Sequence, residues 1–567
     1  MKYPQLTNGG PAVKLKAVTE RDDKRKVTDR HILCLFELLF FFLFPFFRET
    51  VRAQVSFRSG SKNCRAKITK HKTVWKGVCK EAMAIISREQ IVEGLVKILG
   101  KDRVITDEKV LKESSVDRYR KYEQVCEVYT QPIPAAVVNV MSAEEVSEVL
   151  KFANENEINV VPRTGHSAIE GGLETALKDS VVIDGSGMNK IIKVDPYNMQ
   201  VTCQCGVPLQ ALDDMLREQG YTTGHSPQSK PLAQLGGLVA TRSIGQFSTL
   251  YGGIEDMIVG LEAVFPNGKI CRIKNIPRRA AGPDIRHIIC GNEGAICFIT
   301  EVTMKLFKWQ PENNRYIGYK LDDKYMKLGF DCLREVMVAG YRPSFARLYD
   351  AADANMHFSG WLEEGKAILI WMAEGPANIT PAIEAGIKEM MSKHPELEEV
   401  DPTLIEKWYE GLNWGPEQIA EEAEEIKATQ NIGITTEVSG SWDNIYEIYK
   451  TSCERILAEV PDMTLMGGHS SHSYINGTNM YFVYYYNIVD CPPEEEINKY
   501  HDRINQIICE QVLKYGGSIV HHHGLGKARA KYVTQEYGSS YYMLKTLKQA
   551  FDPNGIMNMG TLIPLRK

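Results

Sequence analysis

The chain has 567 residues, of which 43% are hydrophobic and 25% charged, a length and balance that support two to four domains around a large buried core. The formal net charge of -5 is unevenly spread. Residues 1–82 carry an excess of about +11 and the remainder about -16, so the body of the chain is excluded as a nucleic-acid binder.

Residues 1–82 differ in character from the rest of the chain. The stretch "ILCLFELLFFFLFPFF", residues 32–47, is very apolar but contains Glu37 and Pro45. As a helix it would span about 24 Å, short of the ~30 Å hydrocarbon core. A signal anchor and a membrane-surface contact stay open. The simpler expectation is a basic, apolar extension, disordered or not part of the fold. The 13 cysteines, an odd number without a CxxC pair, suit reduced thiols and a cytoplasmic setting, with Cys203 and Cys205 on one strand face.

From Met83 the pattern is regular. "MAIISREQIVEGLVKIL" predicts a helix, and a short second helix near 107–113 completes an N-terminal helical segment over 83–133. A strand at Ala136–Asn139, the helix "SAEEVSEVLKFANEN" and the strand "INVVPR" make a β-α-β unit that ends in the glycine turn "RTGHSAIEGG". Strand-rich sequence comes next, then the helix "LQALDDMLREQG" and a long glycine-dotted stretch. Glycine is costly in backbone entropy, and clusters at "RTGH", "LGGL" and "GNEGAICFIT" are justified if the main chain must approach a ligand. Residues 134–308 therefore predict a cofactor domain. Residues 309–490 alternate helices with aromatic, antiparallel-type strands ("AILIWMAEG", "NMYFVYYYN"), a separate α+β lobe. Residues 491–567 add a helix over 493–514, a histidine loop and a helix over 533–550, returning to the first lobe. There is no internal repeat, P-loop or strand-bound GxGxxG.

The histidine loop, "YGGSIVHHHGLGKARAKY" at 515–532, is internal and embedded in a strand-turn-helix pattern, so it is no tag. Strand alternation would put His521 and His523 on one side and His522 on the other. Without a kink at most two converge on one point. A metal site and a capped strand end both remain open on these residues alone.

In order along the chain, "VPRTGHSAIEGGL", "GYTTGHSPQS", "LGGLVATRSIG", "YGGIEDMIVG", "GNEGAICFITEVTMKL", "PSFARLYD", "VHHHGLGKAR" and "LKQAFDPNGIMNMGTLI" resemble the vanillyl-alcohol oxidase superfamily. Within it they are most similar to the alkyl-dihydroxyacetone-phosphate (alkylglycerone-phosphate) synthases, over most of residues 130–565. The resemblance implies an α+β fold, with a two-subdomain PCMH-type FAD-binding domain and an α+β substrate (cap) domain bearing an antiparallel sheet. It implies FAD as cofactor, the pyrophosphate on Pro162, Arg163, Thr164, Gly165, His166, Ser167 and Ala168. Further contacts would come from Gln228, Ser229, Gln234, Gly236, Gly237, Thr241, Arg242, Ser243, Glu293, Gly294, Ala295 and Ile299. Consecutive N–H groups in tight turns do form anion-binding nests, which agrees.

Related metal-dependent D-2-hydroxyacid dehydrogenases carry GHxGDGNxH and EHG stretches, whose histidines and glutamate hold a divalent ion. Here Tyr481 stands for a ligand histidine and His522 for the glutamate, a poor hard-cation set, so no metal is expected. The resemblance implies instead that Tyr481 and the loop His521, His522 and His523 handle protons, and that Arg347 binds a substrate phosphate. The implied chemistry exchanges a fatty acyl group for a fatty alcohol on dihydroxyacetone phosphate through an adduct at flavin N5, without net redox change. The alternative is an FAD-linked oxidase or dehydrogenase of a hydroxy acid or alcohol; a flavin-binding module without catalysis is a third. Gln228 and Gln234 depart from the synthase pattern. His166 lies one position out of register with the histidyl-flavin link of some relatives, where Ser167 falls, so FAD is expected to be non-covalent. The substrate is expected to be small or lipid-like, and a homodimer is left open.

Overall fold

The computed structural model describes residues 84–565. The expected extension over 1–82 lies outside the described residues. The helix Arg88–Leu99 starts at a capping box in which Ser87 and Gln90 bond reciprocally, and buries Ile91, Leu95 and Leu99, four residues apart, on one face. That face packs on a sheet of β1 (Val104–Ile105), β2 (Ala136–Asn139), β3 (Val160–Arg163) and β4 (Val181–Asp184), in the order β1-β2-β4-β3. Strands β2 and β3 both run parallel to β4, and the helix Ala143–Glu155 makes the crossover between them. The loop that leaves the C-terminal end of β3 is "TGHSAIEGG".

Seven strands come next: β5 (Ile191–Asp195), β6 (Gln200–Gln204), β7 (Tyr221–Thr222), β8 (Ile258–Val264), β9 (Ile270–Ile273), β10 (Phe298–Lys305) and β11 (Phe307–Lys308). Five make an antiparallel sheet in the order β5-β6-β10-β8-β9, while β7 and β11 pair as a short ribbon. The third sheet holds β12 (Arg315–Asp322), β13 (Phe345–Tyr349), β14 (Lys366–Ala373), β15 (Glu398–Val400), β16 (Asn431–Ser441), β17 (Met463–Ser470) and β18 (Gly477–Asn487). It is antiparallel throughout, in the order β15-β12-β14-β13-β17-β18-β16.

Strand periodicity gives this sheet two faces. Ala346 and Leu348 of β13 and Met480, Phe482 and Tyr484 of β18 enter a core shared with the helices Met326–Val338, Ile445–Glu459 and Asp502–Tyr515. The alternate residues Arg347, Tyr349, Tyr481, Val483 and Tyr485 line a cavity.

Two expected elements differ. The run before the histidines forms no strand; Ser518 makes one bridge to Ser439 and the chain is otherwise loop from Gly516, whose φ of 79° ends the preceding helix. The last helix is broken at Gly538 (φ 49°), giving Val533–Tyr537 and Tyr541–Phe551. The C-terminal segment returns to the first sheet, where Met557 bridges Val160 and Asn558 donates to the Val160 carbonyl at 2.7 Å. Among the described residues no helix is long and apolar enough to cross a membrane.

Candidate active site

A cavity of about 480 Å³ lies between the glycine loops and the third sheet. Its wall includes Pro162, Arg163, Thr164, Gly165, His166, Ser167 and Ala168 after β3, then Gln228, Ser229, Gln234, Gly236, Gly237, Thr241, Ser243, Glu293, Gly294 and Ile299. Arg347, Tyr481, His522 and His523 face it from the other side. Three expected residues are not on this wall. Arg242 takes the left-handed conformation (φ 55°) at the end of the helix Leu235–Thr241, and its guanidinium turns to Glu255 at 2.7 Å. Ala295 is fully buried in a small core with Leu525 and Val533. His521 sits behind His522.

The loops are built for close approach. A Cβ at Gly165 would stand 2.6 Å from the Leu232 carbonyl, and one at Gly294, whose φ is 73°, 2.9 Å from the Pro162 ring. Among the described residues, none accepts a hydrogen bond from the main-chain N–H groups of 165–169. The Gln234 Oε1 is buried and without a partner among the described residues. Buried polar groups are normally satisfied, so a donor-rich turn and an orphaned acceptor on one cavity wall fit a ligand with a diphosphate and ring or ribityl donors, as FAD has. Not every polar residue here is free for it. Arg163 is spent on Asp184 (2.9 Å) and Ser114 (2.9 Å), bracing its own loop. The Glu293 carboxylate accepts the N–H groups of Leu525 and Gly526, both at 2.8 Å, and burial pushes its pKa up to about 7.

At the inner end, the Tyr481 hydroxyl lies 2.6 Å from His522 Nε2 and 3.5 Å from His523 Nε2. His522 and His523 thus converge while His521 does not, the reverse of strand alternation. The cause is Glu437 on β16, the cross-strand partner of Tyr481. Its fully buried carboxylate accepts the main-chain N–H groups of His521 (2.5 Å), His522 (3.1 Å) and His523 (2.6 Å). Three successive amides reach one carboxylate only if the chain bends. Arg529, also fully buried, donates to the carbonyls of Glu437 (2.9 Å) and Ile519 (2.6 Å) and to Glu170 (2.6 Å), fixing the same corner. Ligand-type atoms of Glu437, His521 and His522 lie within 4.8 Å of one another, but both Glu437 oxygens are already acceptors for the loop.

Behind Tyr481 runs a chain of contacts: His522 Nδ1 to His521 Nδ1 at 2.8 Å, and His521 Nε2 to the Tyr474 hydroxyl at 2.7 Å. Burial holds the His522 pKa well below its usual value and takes His521 down to about 4, so both rings are neutral at pH 7. Burial, then the Glu437 charge, raises the Tyr481 pKa, which keeps a proton on its hydroxyl.

Sequence reasoning missed a second imidazole system beside Tyr481. His469 on β17, paired with Tyr481 across the ladder, stacks between the Tyr349 and Tyr481 rings at 4.7 and 4.6 Å. Its Nδ1 meets Asp353 Oδ2 at 2.5 Å, which leaves Nε2 as the cavity-side acceptor. Burial lowers the His469 pKa against the opposing pull of Asp353. Burial alone would raise Asp353; the His469 and His357 imidazoles instead hold it below the usual carboxylate range. His472, also on the wall, contacts Ser248 Oγ at 2.9 Å. The available signal was the histidine pair in "GGHSSHSY". Arg347 is buried, donates to the Tyr349 hydroxyl, and lies 5.4 Å over the Trp408 ring; its Nε has no partner among the described residues.

Comparison with known proteins agrees with this geometry. Residues 134–274 match the FAD binding domain family, and residues 310–562 the C-terminal domain of FAD linked oxidases. An Escherichia coli K12 protein described as an uncharacterized FAD-linked oxidoreductase, YgcU, is 61% identical over 485 residues, covering 85% of this chain and 100% of that protein. The alkyldihydroxyacetonephosphate synthase of Caenorhabditis elegans is 28% identical over 76% of each chain. A solved alkyldihydroxyacetonephosphate synthase superposes with a TM-score of 0.66 at 22% identity, covering 86% of both chains, and so shares the fold. With a PCMH-type FAD-binding subdomain and a mixed α+β cap, this chain belongs to the FAD-linked oxidoreductase family that includes YgcU, and it is an FAD-dependent flavoenzyme.

Proposed function

We propose that the enzyme acts in the manner of the alkylglycerone-phosphate synthases, exchanging an acyl group for an alkoxy group on a dihydroxyacetone-phosphate-type substrate. The observation that carries this reading is the Tyr481–His522 contact of 2.6 Å where metal-dependent relatives would place two ligands of an ion. Arg347, which lines the cavity and whose Nε has no partner among the described residues, suits the phosphate of such a substrate. The Asp353–His469 pair has the tautomer of a base, with Nε2 able to accept a proton from a substrate carbon or hydroxyl. The Tyr481 hydroxyl, still protonated, can donate to a departing oxygen, and His522 can restore that proton. FAD, when bound, supplies the electrophilic and redox-active ring that either exchange or oxidation requires.

A second reading, an FAD-linked dehydrogenase or oxidase of a hydroxy acid or alcohol, is supported by the match of residues 310–562 to FAD linked oxidases. Anaerobic mixing separates the two. With an acyl-dihydroxyacetone-phosphate and a fatty alcohol, the ether product should form while the flavin absorbance ends as it began. Lasting bleaching by a hydroxy acid or an alcohol alone would establish the second reading instead.

A further inference from the structure

Between the helices Glu108–Glu113 and Lys121–Val125 the segment "SSVDRYR" lies along the glycine loop that leaves β3. Ser114 Oγ accepts from Arg163 at 2.9 Å, the Thr175 N–H donates to the Ser115 carbonyl at 3.1 Å, and the Leu173 N–H donates to Asp117 at 3.3 Å. The segment is therefore clamped to the loop on which the N–H groups of 165–169 find no acceptor. Its neighbouring cations are all engaged. Arg120 is paired with Glu174 and Glu123 (2.6 Å), Lys121 with Glu422 (2.5 Å) and the Gly433 carbonyl (2.5 Å), and Arg163 with Asp184.

Arg118 is the exception in hydrogen bonding, although the Glu422 charge, already paired with Lys121, also acts on it. Its side chain lines the same cavity as residues 165–169, yet among the described residues no side chain or carbonyl accepts from its guanidinium. It also lies close enough to His166, which opens onto the cavity, for its charge to act there: the surrounding protein first, then the Arg163 charge, and also that of Arg118, lower the His166 pKa. A half-buried cation and a run of free N–H groups on one wall both call for an anion.

We propose that Arg118, from the N-terminal helical segment, is the counter-ion of the FAD diphosphate, so that the two phosphates are held by a guanidinium on one side and the 165–169 main chain on the other. The segment then closes the cofactor site and does not merely pack against it. Riboflavin, which has no phosphate, provides the control.

Wild-type holoenzyme, Arg118→Met and Arg118→Lys are diluted, and release of FAD is followed by its fluorescence at low and high salt. Riboflavin binding to the flavin-depleted proteins and displacement of FAD by ADP are measured alongside. Arg118→Met should weaken FAD binding roughly ten- to hundredfold, as expected for a lost charged hydrogen bond, and flatten its salt dependence. Arg118→Lys should fall between, riboflavin affinity should not change, and ADP should compete less well with the Met variant. If Arg118→Met fails to fold, Arg118→Gln takes its place. FAD held as tightly without the arginine, or FAD and riboflavin weakened alike, would overturn the assignment; the first would place Arg118 at a substrate anion instead.

Discussion

At the residue scale the proposed chemistry turns on one hydroxyl between two imidazole systems. Tyr481 touches His522 at 2.6 Å and stacks on His469 at 4.6 Å, so removing either partner changes a different property. Tyr481→Phe and His522→Ala should each lower turnover by the ~10²–10⁴ typical of a lost proton-transfer group, with FAD retained. The double variant should cost less than the product, because the pair acts as a unit; fully multiplicative losses would show that the two work separately. His166 has φ 54° and lies on the cofactor wall, but its register predicts a free imidazole. Acid denaturation should therefore release the flavin into the supernatant, and yellow precipitate would refute this. Tyr481, His522, His523 and Arg347 were legible because short motifs surround them. Glu437, Asp353 and His469 were not, since each gains its role from a partner far along the chain: Glu437 is 84 residues from His521, and Asp353 116 from His469. Strand register makes those meetings, and no local pattern encodes register across such distances.

Among the elements, the histidine loop shows how a local pattern can mislead. "SIV" after two glycines reads as the start of a strand, but Gly516 at φ 79° ends a helix and the Glu437 carboxylate then bends the chain over three residues. Helices and the first two strands of the cofactor domain were readable because caps and periodicity are local signals; a bend imposed by a buried carboxylate from another strand is not. Glu437→Gln replaces one acceptor oxygen by a donor facing main-chain N–H groups. The expected cost is about 1–3 kcal/mol of stability, as for other buried donors left unpaired, together with a loss of turnover as the loop shifts. Thermal melting of the holoenzyme beside an activity assay checks both, and an unchanged melting temperature would deny Glu437 its anchoring role. The glycine after the loop is equally constrained. Gly526 has φ 52°, and a Cβ there would stand 1.7 Å from the Glu170 carbonyl, so Gly526→Ala should disrupt the corner that Arg529 holds.

For the molecule as a whole, two classes of buried group set opposite pH trends. Burial depresses His521 to about 4 and His225 and His501 to about 3, and also lowers His469, His472 and His522. Such groups stay neutral in the native state, so their contribution to stability is complete above the unfolded value of ~6.5 and is lost as pH falls towards 4. Burial raises Asp117 to about 8 and Asp350, Glu293 and Glu496 to about 7. Their contribution is complete below the unfolded carboxyl value of ~4 and is lost as pH rises through 7 to 8. Between about pH 4.5 and 6 unfolding takes up protons on six histidines and releases them from four carboxyls, so net uptake makes stability climb with pH. Between 6.5 and 8 the histidine uptake fades and Lys527, brought by burial down to about 8, begins to take up a proton on unfolding, but the carboxyls release more than these absorb, so stability falls. The holoenzyme with saturating FAD should therefore be most stable near pH 6.5 and melt earlier at both pH 5 and pH 8. A melting temperature that rises steadily from pH 5 to pH 8 would mean that the four carboxyls are ionised in the native state, and that their hydrogen bonds outweigh their burial.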